Sequence, residues 1–598
     1  MLAFVALVPQ LYMWRERGRD WHGANFSFFI DEAAYEAYVN ALIDGRPRLS
    51  DPYAGRDDGA SAPLAESLFS IQFIPAYALA LPARLFNFSA ATAFIILWPL
   101  AAFATVLALT RLLNVVTADE RTAATLALFV LCFGTLIHKS VRTLRGLETA
   151  YLPLPFLRRY VPALPFALFF VFCLLAWRAL ATDDRRASLA HAFCAGLAFA
   201  LLVYSYFYLW TAAAAWLACL ALPWLAAAQR DARRRAVPAL LVIVALAVVS
   251  LAPYAWLLAR RAPTMNAVQA LVHTRAPDLF RTSELFGALA LSIILFGAWR
   301  GRLAWRDPAA LLAASFALTP FVVFNQQLIT GRSLQPIHYE QFITNYVSLI
   351  ALALAGVLVL SGGATREGAG SVRGGRAPGK LLVLVAFVAL GWASVEVFVA
   401  TRAAARLNLW GDEVRPVYLR LSEMASAEGA FEPGAEQQQQ RRRRIVFCPD
   451  IAQADRLPAV APQAVLWAPH MSVFSGVTLA EEKERLYQQL YYSNIDAERF
   501  ADFISRPHPY RIAVFGPARV INGLDAARAP VTPTDLAAEA RAYAGYVSAF
   551  TRERAAHTPL SYVVVAAGQT DLGNIERWYA RDAGEQIGNH TIYRVKLR

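Results

Sequence analysis

Long apolar segments separated by short polar connections fill the first two thirds of the 598-residue chain. About 20 apolar residues in a row are enough for a helix to cross the hydrocarbon core of a bilayer. Eleven segments come close to this length, and they lie at residues 1–14, 91–113, 122–137, 161–181, 189–209, 211–228, 237–259, 284–300, 308–324, 343–362 and 380–400. The pattern predicts a mainly α-helical polytopic membrane protein in which residues 1–400 form the membrane domain.

The composition agrees with a membrane protein. Apolar residues make up 57% of the chain and charged residues 17%, whereas a soluble domain has about 25% charged residues. The net charge of +13 comes from arginine, so we interpret it as a topology signal and expect no nucleic-acid partner. The five cysteines show no CxxC or Cys/His spacing, so neither a disulfide framework nor a zinc site is expected.

The distribution of arginine among the connections predicts the orientation of the helices. With a cytoplasmic amino terminus, the basic connections 181–188, 230–236, 299–307 and 365–380 all face the cytoplasm, as the positive-inside rule requires. An odd number of crossings then places the chain from residue 401 onward on the outer side. Since the Ala- and Arg-rich composition suggests a bacterium of high genomic GC content, we expect a multi-pass protein of the bacterial inner membrane with a periplasmic C-terminal domain.

The chain changes character after residue 400. Residues 401–444 form a mixed helix and the low-complexity linker GAFEPGAEQQQQRRRR. In residues 445–598, short apolar runs alternate with polar helical stretches, which predicts a small α/β domain. The predicted strands are RIVFCPD, AVLWAP, RIAVFG, YVVVAAG and TIYRVKL, with helices near 479–505 and 532–556. No glycine-rich phosphate loop follows these strands, so no nucleotide is expected.

Two adjacent carboxylates, Asp31 and Glu32, open a helix soon after the first apolar segment, in FSFFIDEAAYEAYVN. They lie in the first outer loop, residues 15–90, whose later part is expected to form interfacial helices on the outer leaflet. One interpretation is structural, because acids at a helix amino terminus cap the backbone and interact favourably with the macrodipole. The other is functional, with the acids contributing to chemistry at the outer membrane surface.

Two further outer loops carry candidate binding residues. The loop 138–160 is basic on the side where basic residues are disfavoured, and its cations are Lys139, Arg142, Arg145, Arg158 and Arg159. These side chains either snorkel beside lipid headgroups or hold an anionic ligand. The loop 325–342 offers Arg332, His338, Tyr339 and Glu340 as contacts for a sugar or a phosphate, with an ordinary polar turn as the alternative.

The acidic pair in DEAAYEAYVNALIDGRPRLSDPY, the long first loop, the many apolar segments and the outward tail together resemble the GT-C superfamily of polytopic glycosyltransferases. The resemblance covers the architecture of essentially the whole chain, and the nearest in appearance are bacterial proteins similar to protein mannosyltransferases and aminoarabinose transferases. It implies inverting transfer of a sugar from a polyprenyl-phosphate donor to a periplasmic lipid, glycan or protein.

The resemblance also implies roles for the candidate residues. Asp31 would be the general base, and Glu32 would orient the acceptor or assist a divalent ion. The cations of the loop 138–160 would bind the donor phosphate, for which arginine is well suited. No cofactor and no metal ligand are assigned, and a divalent cation is left open.

Two other functions stay open at this point. A transporter or flippase of lipid-linked sugars would carry ionisable residues inside its helices and inverted repeats, but most of the apolar segments have no central charge. A non-catalytic membrane assembly component would use the tail to bind a partner.

Overall fold

The computed structural model describes residues 1–59, 62–137, 154–227, 230–265, 272–360, 379–427, 444–506, 508–521 and 529–598. Within these ranges, a bundle of long apolar helices is followed by a tail that contains a six-stranded sheet. The fold is therefore that of a mainly α-helical, multi-pass membrane protein with a C-terminal α/β region, as the sequence predicts.

Nine helices in the described part of the chain are long and apolar enough to cross a membrane. They are Ala90–Thr117, Tyr160–Ala181, Arg185–Val203, Phe207–Ala227, Arg230–Ala259, Thr282–Trp299, Pro308–Thr330, Pro336–Leu360 and Gly379–Ala427. Pro308–Thr330 comprises the helices Pro308–Asn325 and Gln327–Thr330. Pro336–Leu360 comprises Pro336–Tyr339, a π-helical turn at Glu340–Thr344 and Asn345–Leu360.

The other two predicted crossings lie in shorter helices. Leu2–Arg17 and Glu120–Thr135 have 16 residues each, which is about 24 Å at the α-helical rise and less than the thickness of about 30 Å of a bilayer core. Leu2–Arg17 still packs in the bundle, against Ala90–Thr117 and Gly379–Ala427.

Aspartates in the short connections fix where several of these helices begin. The side chain of Asp119 accepts a hydrogen bond from the backbone N–H of Thr122 at 2.9 Å. Asp184 accepts one from Ala187 N–H at 2.9 Å. Each cap satisfies a backbone donor that the first helical turn leaves free, so these acids are explained by helix capping.

The first long loop, residues 18–89, is itself structured. It contains the helices Glu32–Ile43, Leu68–Ile71 and Ile74–Leu85 and a two-stranded ribbon of Ser50–Asp51 and Arg56–Asp57. The first of these helices ends before Gly45, whose φ of +76° suits glycine. Ile74–Leu85 and the residues after it expose Leu81, Leu85 and Phe86, an apolar face of the kind expected of a helix on a membrane surface.

The tail sheet mixes parallel and antiparallel pairs. Its main path runs in the order Ala464–Val465, Ile445–Phe447, Leu560–Ala566, His590–Leu597 and Tyr579–Arg581, and Glu585–Ile587 also pairs with His590–Leu597. Ile445–Phe447 is parallel to both of its neighbours, and the remaining pairs are antiparallel. The accompanying helices are Ile451–Arg456, Leu479–Tyr492, Ala497–Ser505, Pro509–Phe515, Pro517–Val520, Pro533–Ser548 and Arg552–His557.

One predicted strand of the tail is wrong. RIAVFG belongs to the helix Pro509–Phe515 and the turn after it. His508 caps this helix by accepting from Tyr510 N–H, and Pro509 stands at its first position, where the fixed φ of proline favours helix formation. Capping and proline at the first turn outweigh the apolar run, and the short strands Tyr579–Arg581 and Glu585–Ile587 were not predicted.

The last membrane helix continues into the tail without a break. Gly379–Ala427 has 49 residues and so passes through residue 401, where the change of character is predicted. Its buried Asp412 accepts hydrogen bonds from Arg17 Nε at 3.0 Å and from the backbone N–H groups of His22 and Ala24 at 3.1 Å each. This carboxylate ties the end of the first helix to the start of the tail.

The tail docks on the first long loop through an interlocked contact. Phe69 and Phe474 stack with ring centroids 4.5 Å apart. Gly476 N–H donates to the buried Asp51 carboxylate at 3.0 Å, and Tyr53 O–H donates to the carbonyl of Asp455 at 2.9 Å. The first long loop and the tail therefore lie at the same end of the helical bundle.

We expect Gly476→Ala to disturb this docking. A Cβ at residue 476 would lie 2.3 Å from Asp51 Oδ2, and overpacking of this kind costs about 1–3 kcal/mol. Thermal unfolding of the purified protein in detergent, together with limited proteolysis of the tail, measures the effect. Gly59→Ala is the matched control, because Gly59 also lies outside the helices and a Cβ there meets no atom within 4 Å. Equal stability of the two variants would show that the contact is not tight.

Candidate active site

Asp31 lies at the amino terminus of the helix Glu32–Ile43 but does not cap it, since its side chain makes no capping hydrogen bond. It pairs with Arg159 Nη1 and, at 3.5 Å, with Arg158 Nη2. The Asp31 side chain is 35% exposed, whereas those of Arg158 and Arg159 are 8% and 4% exposed. A partly exposed acid thus covers two buried guanidinium groups.

Aromatic rings hold both guanidinium groups in place. The Arg158 guanidinium lies 4.6 Å from the ring centroid of Phe29 and 4.7 Å from that of Phe342. The Arg159 guanidinium lies 3.9 Å from the Tyr35 ring, and its Nε donates to the carbonyl of Val161 at 3.1 Å. Cation–π contacts in such positions stabilise a cation out of water, so the two arginines are fixed before any ligand binds.

The electrostatics of Asp31 follow from this arrangement. The surrounding protein atoms alone would raise the pKa of Asp31, but the charges of Arg159 and Arg158 outweigh them and hold the pKa well below its ordinary range. The carboxylate is therefore ionised at any physiological pH, and it is a weaker proton acceptor than an unpaired aspartate.

Glu32 has a different environment and a structural role. Its Oε1 accepts hydrogen bonds from the backbone N–H groups of Phe28 and Phe29, both at 3.0 Å. Burial, followed by the nearby Asp31 charge, raises the pKa of Glu32 to about 7. Glu32 therefore holds the backbone just before the helix, and neither acid caps the first helical turn through its side chain.

Part of the second polar loop lies beside the arginines. Phe342, which packs on Arg158, also contacts the ring of His338 at a centroid distance of 5.6 Å. His338 Nδ1 is hydrogen-bonded to Tyr206 O–H at 2.9 Å, and its ring stacks on Tyr208 at 4.6 Å. The SYFYLW stretch, residues 205–210, thereby contributes two tyrosines to the surroundings of the site.

The remaining predicted residues are placed differently. Tyr339 is buried and its O–H is hydrogen-bonded to Thr211 at 2.7 Å. Glu340 pairs with Arg281 Nη1 at 2.5 Å, and Arg332 is exposed in the short strand Arg332–Ser333. Lys139, Arg142 and Arg145 lie outside the described residues. Of the predicted site, the structure brings Asp31, Arg158, Arg159 and His338 together.

The tail adds a histidine that the sequence reasoning missed. His470 Nδ1 is 2.7 Å from Asp455 Oδ2, and the His470 backbone N–H donates to Asp455 Oδ1 at 3.2 Å. Burial alone would lower the pKa of His470, but the Asp455 carboxylate, and after it the Asp31 carboxylate, outweigh burial and raise the pKa. The one available signal in the sequence is that His470 closely follows a predicted strand.

No metal cluster is seen in the described part of the chain, where no three acidic, histidine or cysteine side chains come close enough to share an ion. The resemblance left the need for a divalent ion open, and that question stays a matter of prediction.

Comparisons with known proteins give no family. No family model and no curated protein matches the chain. Two solved structures of an oligosaccharyltransferase from Archaeoglobus fulgidus are similar to it over 96% of its length. The structure with a tethered acceptor peptide containing the NVT sequon has a TM-score of 0.43 at 13% identity and is covered over 72% of its chain. The complex with Zn and sulfate has a TM-score of 0.37 at 15% identity and is covered over 71%. Similarity at this level does not establish membership of a family, so the GT-C resemblance stays a prediction.

The pKa of Glu32 leads to a prediction about stability. Because folding raises this pKa from about 4.5 to about 7, the contribution of Glu32 is fully present below pH 4.5 and is lost as the pH rises through 7. Glu32→Gln keeps an acceptor for the two N–H groups without the charge, so its melting temperature should fall less than that of the wild type between pH 5 and pH 8.

Glu498→Gln is the control for this comparison, since Glu498 is exposed. Melting curves of the three proteins at several pH values measure the difference. If the melting temperatures of Glu32→Gln and the wild type change in parallel over the whole pH range, the buried environment assigned to Glu32 is contradicted.

Proposed function

We propose that this chain is a membrane glycosyltransferase that moves a sugar from a polyprenyl-phosphate donor to an acceptor at the membrane surface. The observation that carries the proposal is the pair of buried arginines, Arg158 and Arg159, covered by the partly exposed acid Asp31. A site of this kind suits a reaction in which a sugar phosphate bond is broken, because the leaving phosphate gains negative charge.

The arginines are proposed to bind the donor phosphate. They lie immediately before the membrane helix Tyr160–Ala181, which is the level at which a lipid phosphate sits. Arg158 Nε is buried and has no partner among the described residues, so one N–H group is free to meet a phosphate oxygen. Guanidinium groups bind phosphate bidentately and keep their charge. Lys139, Arg142 and Arg145 are proposed to extend this cationic surface.

Asp31 is proposed to lie next to the sugar. Glycosyl transfer passes through a transition state with positive charge on the sugar ring, and an ionised carboxylate stabilises such charge. The general-base role that the resemblance implies for Asp31 stays a prediction, which the low pKa of the carboxylate disfavours. Glu32 is proposed to fix the helix start and so to orient Asp31.

The second polar loop is proposed to line the sugar site through His338. Its contacts with Tyr206 and Tyr208 place polar and aromatic surface beside Arg158, a combination that suits sugar hydroxyls and faces. We favour His338 over Arg332, Tyr339 and Glu340, because the His338 ring contacts Phe342, which packs on Arg158. The acceptor is proposed to be a lipid, a glycan or a protein.

Loss of the acid or the arginines should remove activity. We expect Asp31→Asn and Arg159→Gln each to lower sugar transfer at least 100-fold, about the effect of removing one positioned charge from a transition state. Transfer is measured in membranes that contain the protein, supplied with radiolabelled polyprenyl-phosphate mannose, glucose or arabinose. Asp183→Asn is the control, since Asp183 is 89% exposed in a short connection between membrane helices. Full activity of Asp31→Asn would contradict the proposed site.

We propose that the site and the tail face the periplasm of a bacterial inner membrane, where such donors are used. Labelling of introduced, exposed cysteines with a membrane-impermeant maleimide tests this. Ser548→Cys in the tail, an exposed position, should react in intact cells, and Asp183→Cys should react only after the membrane is opened. Cys194 is exposed along a membrane helix, so both variants are made in a background in which it is replaced by alanine. The reversed pattern would place the site on the cytoplasmic side of the membrane and contradict the proposed orientation.

A further inference from the structure

His470 lies where the tail meets the membrane part of the site. The tail contacts the first long loop on both sides of His470. After the histidine, Phe474 stacks on Phe69, and Gly476 N–H donates to Asp51. Before it, the carbonyl of Asp455, the hydrogen-bond partner of His470, accepts from Tyr53 O–H. His470 is therefore not on a free surface of the tail. Its side chain is 14% exposed.

The hydrogen bond to Asp455 fixes how the imidazole is oriented and protonated. Asp455 is buried, with a side chain 2% exposed, and its Oδ2 lies 2.7 Å from His470 Nδ1. A carboxylate on Nδ1 selects the tautomer with the proton on Nδ1, so Nε2 carries the lone pair. Nε2 has no hydrogen-bond partner among the described residues, which leaves it available to a substrate.

Ring contacts join the tail stretch that carries His470 to the arginines. The Arg159 guanidinium lies on the Tyr35 ring, Tyr35 contacts Phe69 with ring centroids 4.8 Å apart, and Phe69 stacks on Phe474. Three charged groups act on the imidazole, namely Asp455 from its own part of the tail, Asp31 from the first long loop and Arg159 from the start of a membrane helix. The histidine is thus close enough to the Asp31–Arg159 pair for their charges to act on it. The two carboxylates favour protonation of the ring and Arg159 disfavours it.

We infer that His470 Nε2 is the proton acceptor of the transfer reaction, that Asp455 positions it, and that the acceptor substrate carries a hydroxyl group. The inference rests on the proposed function and deepens it. It assigns proton transfer to a group with a free lone pair. Asp31, which the two arginines hold ionised, then stabilises the positive charge that develops on the donor sugar. A hydroxyl is the acceptor class that an imidazole base can activate near neutral pH.

The step balances without a co-reactant. The acceptor hydroxyl oxygen attacks the anomeric carbon of the donor, the bond between that carbon and the phosphate oxygen breaks, and the electron pair leaves with the phosphate. The hydroxyl proton moves to His470 Nε2, and the imidazolium that forms is stabilised by the Asp455 carboxylate. Release of the proton to solvent restores the base.

The inference predicts a definite dependence on pH. His470 acts in its neutral form, so the rate should rise with pH and level off above its pKa. Since Asp455 and Asp31 raise that pKa, the rise should be centred above about 6.5, the ordinary value for histidine. A base with the depressed pKa of Asp31 would give no rise in this range.

The test compares His470→Gln, Asp455→Asn and the wild type in the radiolabelled transfer assay, with an alkyl glycoside as the hydroxyl acceptor. We expect His470→Gln to lose about 100-fold or more in kcat, in the range for a general base, and to lose the rise with pH. Asp455→Asn should stay partly active with the rise moved to lower pH, because the carboxylate that raised the pKa is gone. His557→Gln, an exposed histidine of the tail, should match the wild type.

Folding is checked separately so that a damaged variant is not mistaken for a catalytic one. Each variant should still unfold cooperatively at a temperature well above that of the assay, and His470→Ala should regain activity when imidazole is added. Transfer by the wild type together with an unchanged rate and pH profile of His470→Gln would overturn this inference alone. If the wild type transfers no sugar from any of the donors, the proposed function fails and the inference falls with it.

Discussion

The ion pairs of Asp31 with Arg158 and Arg159 are the interaction on which the rest of the site depends. Two guanidinium groups that are less than one tenth exposed need a nearby negative charge, because removing one partner of a buried pair is strongly destabilising. Asp31 supplies that charge while remaining partly exposed itself. The acid therefore stabilises a buried cationic site, and in the proposed function a phosphate would satisfy the same two arginines with more oxygen atoms.

The rigidity of this site comes from parts of the chain that are distant in sequence. Phe29 and Tyr35 come from the first long loop, and Phe342 comes from the segment before a late membrane helix. Together they fix the guanidinium planes in position, so little rotamer freedom is left to lose when a ligand binds. Because Phe342 also packs on His338, a shift of either loop would move both the cationic site and the proposed sugar site.

The sequence predicts much of this arrangement, and the rest depends on contacts that no local pattern shows. The apolar segments predict the helices, and the charge rule puts Asp31 and the loop 138–160 on one side, where the structure has Asp31 against Arg158 and Arg159. That rule cannot say which arginines make the contact, nor that Glu32 turns back to the backbone.

The tail was harder to predict for two physical reasons. Capping by His508 and the fixed φ of Pro509 turned an apolar run into a helix. The approach of His470 to the site depends on a docking surface built by Asp51, Tyr53 and Phe69, residues about 400 positions away. Pairings over such separations are decided by tertiary packing and leave no periodicity to detect.

The docking of the tail also explains why the proposed chemistry would be divided between two parts of the molecule. A lipid-phosphate donor is confined to the membrane, so its binding groups belong beside a membrane helix, as Arg158 and Arg159 are. A hydroxyl acceptor arrives from the aqueous side, so the group that takes its proton belongs on the soluble tail, as His470 does. Asp31, at the boundary, is the residue whose charge acts on both the arginines and the histidine. A site completed only by docking would bring donor and base together in the intact chain and would leave the membrane part alone without a proton acceptor.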